Sequence, residues 1–399
     1  MSELFPDAEL YSLAAQRAEN EILLLCAHRG DAAAADARVV ELARGEVDWE
    51  HLYRLAHRHA LLPLLHRGLE RAAGGRAPGA IRERLRAKFR ENATRNTLLA
   101  GELARLARLF ESGGAPLLAY KGPALAVQAY GDLSLRRFID LDVVVRRRDV
   151  ARAGALLRAQ GFVKPDGLTE SHERFLLRRQ HNLAYTSGGG KLIVELHWEV
   201  APEPFASVPL GEGTWERAGA VTLFGAEVKC LSPEDLLLAL SVHGTKHLWE
   251  RLAWVCDVAA LVNSQPSLDW DFVLGRARDS RVGRMLRLAL RLARGLLGAR
   301  VPPAALAEGG GGDRAAAALA AEATAALFGG REYEPAGLVR NVRFNLRARA
   351  RLREKAAYLR FILTPTDGDL TAVALPEGIS FLYYLLRPVR LALKGGDSH

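Results

Sequence analysis

Apolar residues recur with helical spacing at both ends of the chain and with strand spacing between them. From residue 7 to residue 112 they fall at positions i, i+3, i+4 and i+7, which is typical of amphipathic helices. This pattern predicts four helices, with glycine or proline at the breaks between them. The predicted helices are Glu21–His28, Asp31–Arg44, Trp49–Glu70 and Gly79–Ser112.

Between residues 113 and 230 the apolar runs become shorter, and turn residues separate them. The predicted strands are Leu117–Tyr120, Ile139–Val145, Phe162–Lys164, His181–Thr186, Lys191–Val200, Val221–Phe224 and Glu227–Leu231. Helices are expected at Pro123–Tyr130 and Arg147–Gln160. Glycine-containing turns at 187–190 and 225–226 predict two hairpins. The predicted fold class is therefore α+β, a small mixed sheet flanked by N-terminal and C-terminal helical regions.

From Ser232 onward the helical spacing returns. Ser232-Pro233-Glu234-Asp235 is a good helix start, with serine as N-cap, proline at the first position and acids in the first turn. The predicted helices are Pro233–His247, Trp249–Asn263, Trp270–Ser280, Val282–Leu297, Ala315–Phe328, a long basic helix from Gly337 to Leu363, and Ser380–Lys394. We expect three regions: 1–112 helical, 113–231 the α+β core, and 232–399 helical.

Charge and cysteine content limit the function classes only broadly. The chain has 399 residues with 55 Lys+Arg against 46 Asp+Glu, a net charge of +9 that suits an anionic partner without selecting one. The cysteines, Cys26, Cys230 and Cys256, are far apart and lack C-x-x-C spacing, so we expect buried thiols instead of disulfides or a zinc site. No secretory signal and no apolar run of about 18 residues is visible, which predicts a cytoplasmic protein without a membrane span.

Asp140 and Asp142 are the first candidates for chemistry. Side chains alternate along a strand, so these carboxylates share one face while Leu141 and Val143 face the other. Two carboxylates one strand repeat apart are suited to a hard cation such as Mg²⁺. The alternative is that the pair is a solvated strand edge or a cap.

A second acidic strand follows at Lys191–Val200. Alternation places Glu195, His197 and Glu199 on one face. If this strand lies beside that of Asp140 and Asp142, then Glu195 completes a cluster of three carboxylates able to hold divalent cations. The alternative is a solvated hairpin face. Spacing alone leaves both interpretations open.

Ordered motifs along the chain resemble a known family. They are Leu-Ala-Tyr-Lys121-Gly122-Pro-Ala-Leu, Tyr-Gly-Asp, Arg136-x-x-x-Asp140-Leu-Asp142, Glu195-Leu-His197-Trp198, Ser-Pro-Glu-Asp-Leu-Leu, His243-Gly-x-Lys246-His247-x-Trp249-x-Arg251-Leu-x-Trp254-x-x-Asp257 and Leu-Leu-Arg387-Pro-Val-Arg390-Leu. This set resembles the bacterial uncharacterised nucleotidyltransferase family, within the nucleotidyltransferase superfamily of the DNA polymerase β type. The resemblance is good from Ala115 to Val262 and looser in the C-terminal helices.

The resemblance implies transfer of a nucleoside monophosphate from an NTP to an unidentified hydroxyl acceptor, dependent on Mg²⁺ or Mn²⁺. It implies that the catalytic residues and metal ligands are Asp140, Asp142 and Glu195. It also implies a nucleotide site that comprises Lys121, Gly122, Arg136, His197, His243 and Lys246. The acceptor is a small molecule, an RNA end or a protein side chain.

Two positions depart from the family's usual pattern. The phosphate turn is Lys121-Gly122-Pro123 where Gly-Gly or Gly-Ser is usual, and proline removes one backbone donor. We therefore expect phosphate binding to depend more on Lys121. Ile139 stands where a small residue is common, and we expect it to be tolerated because it faces away from Asp140.

The segment from His243 to Asp257 allows two interpretations. His243 and His247 have i, i+4 spacing, but no third ligand of suitable spacing accompanies them, so zinc is not predicted. Either this helix face lines the nucleotide pocket, or His243 packs in the core and Lys246 is solvated. For Asp257 we expect a buried partner, either Arg251 or a histidine.

Two other functions stay open from the sequence. The basic segment Arg340–Arg360 has the charge of a nucleic-acid surface, yet such a run is more often the solvated face of a helix, so nucleic-acid binding is not favoured. The chain can also be a non-catalytic nucleotide-binding protein or a regulator of the toxin–antitoxin type, with its helical regions binding other proteins.

Overall fold

The chain forms a mixed sheet covered by helices. The structure is a computed structural model that describes residues 4–28, 32–72, 76–164, 177, 180–190, 192–203, 205–206, 208–308, 311–329, 337–365 and 382–387. Within these residues a seven-stranded sheet holds both parallel and antiparallel strands, and helices precede and follow it along the chain. The predicted α+β class is therefore confirmed.

Six helices precede the sheet, and the last of them is the longest in the described chain. They are α1 (Ala8–Ala14), α2 (Ala18–Ala27), α3 (Ala32–Leu42), α4 (Trp49–Arg58), α5 (Leu62–Ala72) and α6 (Gly79–Ser112). The bounds predicted for α6 are confirmed. The single helix predicted over Trp49–Glu70 is wrong, because Ala60 has a positive φ of 59° and interrupts it. The buried His59 fixes this break by bonding to the Leu327 carbonyl at 3.0 Å.

The sheet has the strand order β3-β4-β5-β2-β1-β7-β6. Its strands are β1 (Leu117–Ala119), β2 (Leu141–Val145), β3 (Phe162–Val163), β4 (Asn182–Ser187), β5 (Ile193–His197), β6 (Gly219–Leu223) and β7 (Ala226–Cys230). Both predicted hairpins are confirmed, since β4 pairs with β5 and β6 with β7 in antiparallel fashion. β2 runs antiparallel to β1 and parallel to β5, with Asp142 opposite Glu195.

Both faces of strand β2 are buried. Leu141 and Val143 pack into one core with β1, β5 and α6, whereas Val144 packs into the larger core formed by the helices on the other face. A strand covered on both faces is mostly apolar, as in parallel sheets, and Asp142 is the exception in β2. Asp142 shares the face of Val144 and is only 7% exposed, so this carboxylate is not at a solvated edge.

Shorter helices connect the strands. Gly122–Leu125 (α7) is followed by a π-helical turn at Ala126–Tyr130, where the sequence predicts one helix. Val150–Ala159 (α8) follows a 3₁₀ turn, and Glu212–Glu216 (α9) precedes β6. A further 3₁₀ turn, Leu133–Leu135, leads into β2. The chain therefore reaches β2 through a compact series of turns.

The helices after the sheet largely match the predicted ones. They are α10 (Pro233–Lys246), α11 (Leu252–Ser264), α12 (Trp270–Asp279), α13 (Gly283–Leu297), α14 (Pro303–Leu306), α15 (Arg314–Phe328), α16 (Leu338–Arg347) and α17 (Leu352–Ile362), with a small strand pair β8 (Ala307–Glu308) and β9 (Gly311–Gly312) after α14. Of the predicted terminal helix Ser380–Lys394, only residues 382–387 lie within the described residues.

The prediction of one long basic helix from Gly337 to Leu363 is wrong. α16 ends at Arg347 and α17 begins at Leu352. Between them the buried side chain of Arg349 turns inward, donates to the Phe205 carbonyl at 2.6 Å and stacks over Tyr358. A buried guanidinium needs such partners, so this run is not the solvated face of a continuous helix.

The cysteines lie in the interior, and the helices can be compared with the length and apolar character that a membrane span requires. Cys26, Cys230 and Cys256 are buried thiols, as predicted. Among the helices that the structure describes, none combines the length and the apolar character needed to cross a membrane. Neither finding changes the assignment of the fold to the α+β class.

Close packing of α2 against α5 gives a first testable prediction. A Cβ atom at Gly68 would lie 2.5 Å from the Cys26 Sγ and 2.9 Å from its Cα, so the backbone of α2 would have to move. We expect Gly68→Ala to lower the free energy of unfolding by about 1–3 kcal/mol, measured by urea denaturation. Gly79→Ala is the control, because nothing lies within 4 Å of its Cβ position. Equal free energies of unfolding for the two variants would contradict the close approach of α2 to α5 at Gly68.

Candidate active site

A cavity of about 590 Å³ lies where β2, β4 and β5 meet α10 and α11. Polar and charged side chains from both sides line it. Of the nine residues that the sequence predicts for the site, eight line this cavity: Lys121, Arg136, Asp140, Asp142, Glu195, His197, His243 and Lys246. Gly122 is not part of the lining. The fold thus brings together residues that are up to 125 positions apart in the sequence.

Asp142, Glu195 and His197 form the centre of the cavity. The parallel pairing of β2 with β5 sets Asp142 opposite Glu195, and His197 lies two residues further along β5. The His197 Nε2 is 3.1 Å from the Asp142 Oδ1 and 3.2 Å from the Glu195 Oε2. One ligand atom from each residue lies within 4.8 Å of the others, so this group can hold a metal ion.

The group differs in one member from the predicted three carboxylates. Asp140 precedes β2 and lines the same cavity, but it is not among the three residues grouped by ligand distance. His197, predicted to bind nucleotide, instead bridges the two carboxylates. Glu199, on the same predicted face, lies apart from the cavity lining and accepts from the Leu210 amide at 3.4 Å.

The pKa values show how charge is distributed among the carboxylates. Burial and the charges of Asp142 and Glu195 raise the pKa of Asp140 to about 6. Burial also acts to raise the pKa of Asp142, but Lys121 and His197 outweigh it and hold that pKa below its usual value. The hydrogen bond from His197 lowers the pKa of Glu195. Negative charge is therefore left uncompensated mainly at Asp140.

Lys121 is the buried cation nearest to Asp142. Its Nζ lies 3.5 Å from the Asp142 Oδ1 and 3.2 Å from the His243 Nδ1. Burial acts to lower the pKa of Lys121, but Asp142, Tyr120 and Glu195 together outweigh burial and raise it. The next residue, Gly122, has a φ of +53°, and a Cβ there would lie 3.4 Å from the Asp140 carbonyl. Glycine is favoured at this position because L side chains rarely adopt such a conformation.

Arg136 is paired with Asp257, which corrects one sequence-based expectation. Its Nε and one terminal nitrogen lie 2.8 and 3.0 Å from the two Asp257 oxygens, and the Tyr130 hydroxyl donates to the same carboxylate at 2.8 Å. Asp257 was expected to pair with Arg251 or a histidine. Asn96, on α6, holds the Arg136 carbonyl at 2.7 Å and so fixes the backbone that presents this guanidinium to α11.

The α10 side of the cavity combines neutral imidazoles with one lysine. Burial and neighbouring cations lower the pKa of His243 well below its usual value and that of His247 to about 3. Burial and Lys121 lower the pKa of Lys246 to about 8. The two imidazole rings are 4.8 Å apart, and the Trp254 ring lies within 5.4 Å of both. This helix face therefore lines the cavity instead of being solvated.

A strained loop joins α10 to α11 beside the cavity. Leu248 and Trp249 have positive φ values of 54° and 56°, which are rare for residues with large side chains. Trp249 is fully buried, and a Cβ at Gly244 would lie 2.5 Å from its ring. The sequence predicts a helix from Trp249, yet α11 begins only at Leu252. The reason is that the Trp249 ring occupies the space beside Gly244, where a side chain would otherwise lie.

The sequence analysis missed two residues next to the acidic group. Asn182 on β4 donates to the Glu195 Oε2 at 3.0 Å and so orients it. His181 is 7% exposed, lines the cavity, and its Nδ1 has no hydrogen-bond partner among the described residues. The only signal for Asn182 was its position opposite His197 in the predicted hairpin.

One comparison with known proteins shows the family of this chain. A model of the family described as uncharacterised nucleotidyltransferases matches residues 45–298, which include every residue that lines the cavity. The chain is also similar to a solved antigenic nucleotidyltransferase-like protein from Paracoccidioides brasiliensis, at 15% identity and a TM-score of 0.29. That likeness covers 49% of this chain and 94% of the other. The search of curated proteins gave no match.

The Arg136–Asp257 pair generates a stability prediction. The two side chains are 12% and 3% exposed, so Asp257→Leu leaves a buried guanidinium without its carboxylate. We expect this variant to lose about 3–5 kcal/mol of unfolding free energy in urea denaturation. Arg136→Met/Asp257→Leu removes both charges and should recover most of that loss. A double variant no more stable than the single one would contradict this explanation.

Proposed function

The chain belongs to the family of uncharacterised nucleotidyltransferases, and we propose that it is a metal-dependent enzyme that transfers a nucleoside monophosphate from an NTP to a hydroxyl acceptor. One observation carries the proposal. Asp142 and Glu195 lie opposite each other on parallel strands in a cavity that also contains Asp140, Lys121 and Lys246. The order of these motifs is the reason to propose the chemistry of the DNA polymerase β type.

The residues present fit a hard divalent cation. Carboxylate oxygens suit Mg²⁺ and Mn²⁺, and Asp140, Asp142 and Glu195 all line the same cavity, where burial and the other two carboxylates raise the pKa of Asp140. We expect Asp140, Asp142 and Glu195 to hold the ion. His197, bonded to two of these carboxylates, would orient them as a hydrogen-bond donor. When bound, the ion supplies positive charge to the reacting phosphate and helps to activate the acceptor hydroxyl.

The side chains divide the remaining tasks. The acceptor oxygen forms a bond to the α-phosphorus of the NTP, the bond from that phosphorus to the bridging oxygen breaks, and pyrophosphate leaves. Glu195 helps to withdraw the hydroxyl proton. Lys121 and Lys246 supply positive charge to the phosphate oxygens, as the charge of the reacting group requires.

Arg136 and Gly122 have indirect roles in this proposal. Asp257 already binds two nitrogens of the Arg136 guanidinium. We therefore propose that Arg136 contributes positive potential to the cavity and shapes its wall. Gly122 lies outside the cavity lining, and its missing side chain lets the chain pass close to the Asp140 carbonyl. We therefore propose that Gly122 helps to fix the position of Asp140.

Carboxylate variants test the proposed reaction. We expect Asp142→Asn or Glu195→Gln to lower metal-dependent transfer of labelled NMP to a cell extract by at least about 100-fold, because each removes a charged ligand. Binding of Mn²⁺, followed by electron paramagnetic resonance, should weaken in parallel. Glu227→Gln is the control, since Glu227 is exposed on β7 and distant in sequence from the cavity residues. Transfer that survives in Asp142→Asn, or NTP binding without any transfer by the unchanged protein, would contradict the proposal.

The pKa of Lys246 predicts how NTP binding depends on pH. Because this pKa is about 8, the ammonium that attracts phosphate is lost as the pH rises through 8. We expect NTP affinity to be highest below pH 8 and to fall by up to about tenfold per pH unit above it. Labelled-NTP binding at constant ionic strength measures this effect.

Lys246→Arg is the matched variant for the pH test. Arginine stays charged over the whole range, so its NTP affinity should stay constant where that of the unchanged protein falls. Lys246→Met should bind weakly at every pH. The same decline in Lys246→Arg would assign the titration to another group.

A further inference from the structure

Arg137 connects the candidate active site with a second, smaller cavity. Together with Ala60 it lines both the 590 Å³ cavity and a neighbouring one of about 60 Å³ between α4, α5 and α6. Lys88 and Arg95, on α6, line that smaller cavity. A row of cationic side chains therefore leads from the mouth of the site along α6.

Two of the cations at this mouth form no ion pair among the described residues. In the described part of the chain neither Arg137 nor Arg251 forms an ion pair, whereas Lys88 and Arg95 share the single carboxylate of Glu91 at 2.7 and 2.9 Å. Partial burial and the guanidinium groups of Arg95 and Arg251 lower the pKa of Arg137. Like charges that line one cavity repel each other, and a bound anion relieves this repulsion.

The backbone around Arg251 is built to present it to the cavity. The Trp249 ring packs closely against Gly244, and this contact holds the strained residues Leu248 and Trp249 in place. Arg251 follows them in the chain and lines the cavity wall. Arg251 is also the N-cap of α11, a helix of 13 residues that has no side-chain cap and no acidic residue in its first turn. The positive end of the helix dipole therefore adds to the guanidinium charge.

Two groups of cations can be distinguished in the site. The inner group is Lys121 and Lys246, and Lys121 contacts Asp142 at 3.5 Å. The outer group is Arg137 and Arg251, which both line the cavity with exposed side chains. The proposed NTP places its phosphates at the inner group, next to the acidic residues, and this leaves the outer group for another anion.

We propose that Arg137 and Arg251 bind a phosphate group of the acceptor, so that the enzyme's second substrate is a phosphorylated hydroxyl compound. This rests on the proposed function. Guanidinium groups offer paired N–H donors that match phosphate oxygens. The acceptor is held by its phosphate at the mouth while its hydroxyl reaches the α-phosphate inside. A phosphorylated small molecule and the end of an RNA strand share this chemistry.

A binding experiment on the full chain tests the subsite. With the inner site filled by a non-hydrolysable NTP analogue and Mn²⁺, titrate glycerol 3-phosphate, glycerol and a short oligoribonucleotide, using calorimetry. We expect a phosphate-bearing probe to bind and glycerol not to bind. Arg137→Gln/Arg251→Gln should weaken that binding by at least about tenfold, since two charged hydrogen-bond donors are lost. Affinity for the NTP analogue should change by less than about twofold.

Controls separate charge from folding. Arg137→Lys/Arg251→Lys keeps the charge and should retain part of the affinity. Arg108→Gln, an exposed arginine on α6 outside both cavities, should behave as the unchanged protein. An equal loss of affinity for the NTP analogue in the Arg137→Gln/Arg251→Gln variant would overturn the proposal, because the arginines would then bind the donor. So would the absence of binding by every phosphate-bearing probe.

Transfer assays distinguish this proposal from the proposed function. Acceptor activity in a cell extract should be lost after phosphatase treatment if the acceptor is a small phosphate ester, and after ribonuclease treatment if it is an RNA end. Transfer to acceptors that survive both treatments and are insensitive to the arginine variant would overturn the subsite while the transferase function stands. Arginine-dependent phosphate binding without any transfer would support the subsite and overturn the transferase function.

Discussion

The parallel pairing of β2 with β5 determines what the rest of the site must provide. It places the carboxylates of Asp142 and Glu195 opposite each other on a sheet face that the C-terminal helices cover. Two buried negative charges this close are costly without compensation. Lys121 approaches from the end of β1, His197 donates from β5, and Asn182 donates from β4. Each neighbouring strand thus contributes a partner, and the order of the strands in the sheet allows these partners to reach the two carboxylates.

Charge compensation also explains the other wall of the cavity. Burial, together with the charges of Lys121 and Lys246, lowers the pKa values of His243 and His247 and keeps these imidazoles neutral. Neutral imidazoles beside Trp254 form a surface that is polar but carries no charge, next to a centre where acids and ammonium groups alternate. The cavity therefore combines charged groups with neutral aromatic ones, and the exposed side chains of Arg137 and Arg251 also line it. This combination suits a substrate with a charged end and a less polar remainder.

Local periodicity made much of this predictable, and tertiary contacts account for the rest. The two-residue period of β2 and β5 put Asp142 and Glu195 on the correct faces, and the 3.6-residue period of α6 gave its ends. Periodicity could not reveal the interruption at Ala60 or the strained residues Leu248 and Trp249, because distant groups, the Leu327 carbonyl and the space beside Gly244, hold them. The partner of Asp257 was also unpredictable, since Arg136 lies 121 residues away. His197 was found on the correct face, but its bridging position depends on the register.

Helix α6 has a mechanical consequence. Its 34 residues extend for about 50 Å as one uninterrupted rod. Near its middle, the side-chain amides of Asn92 and Asn96 donate hydrogen bonds to three backbone carbonyls of the turn that carries Arg136 and Arg137. Sharp kinks in long helices arise at residues such as proline, and α6 contains no proline. If the N-terminal bundle tilts, the rod moves this turn as a unit, so the width of the entrance is coupled to elements far outside it.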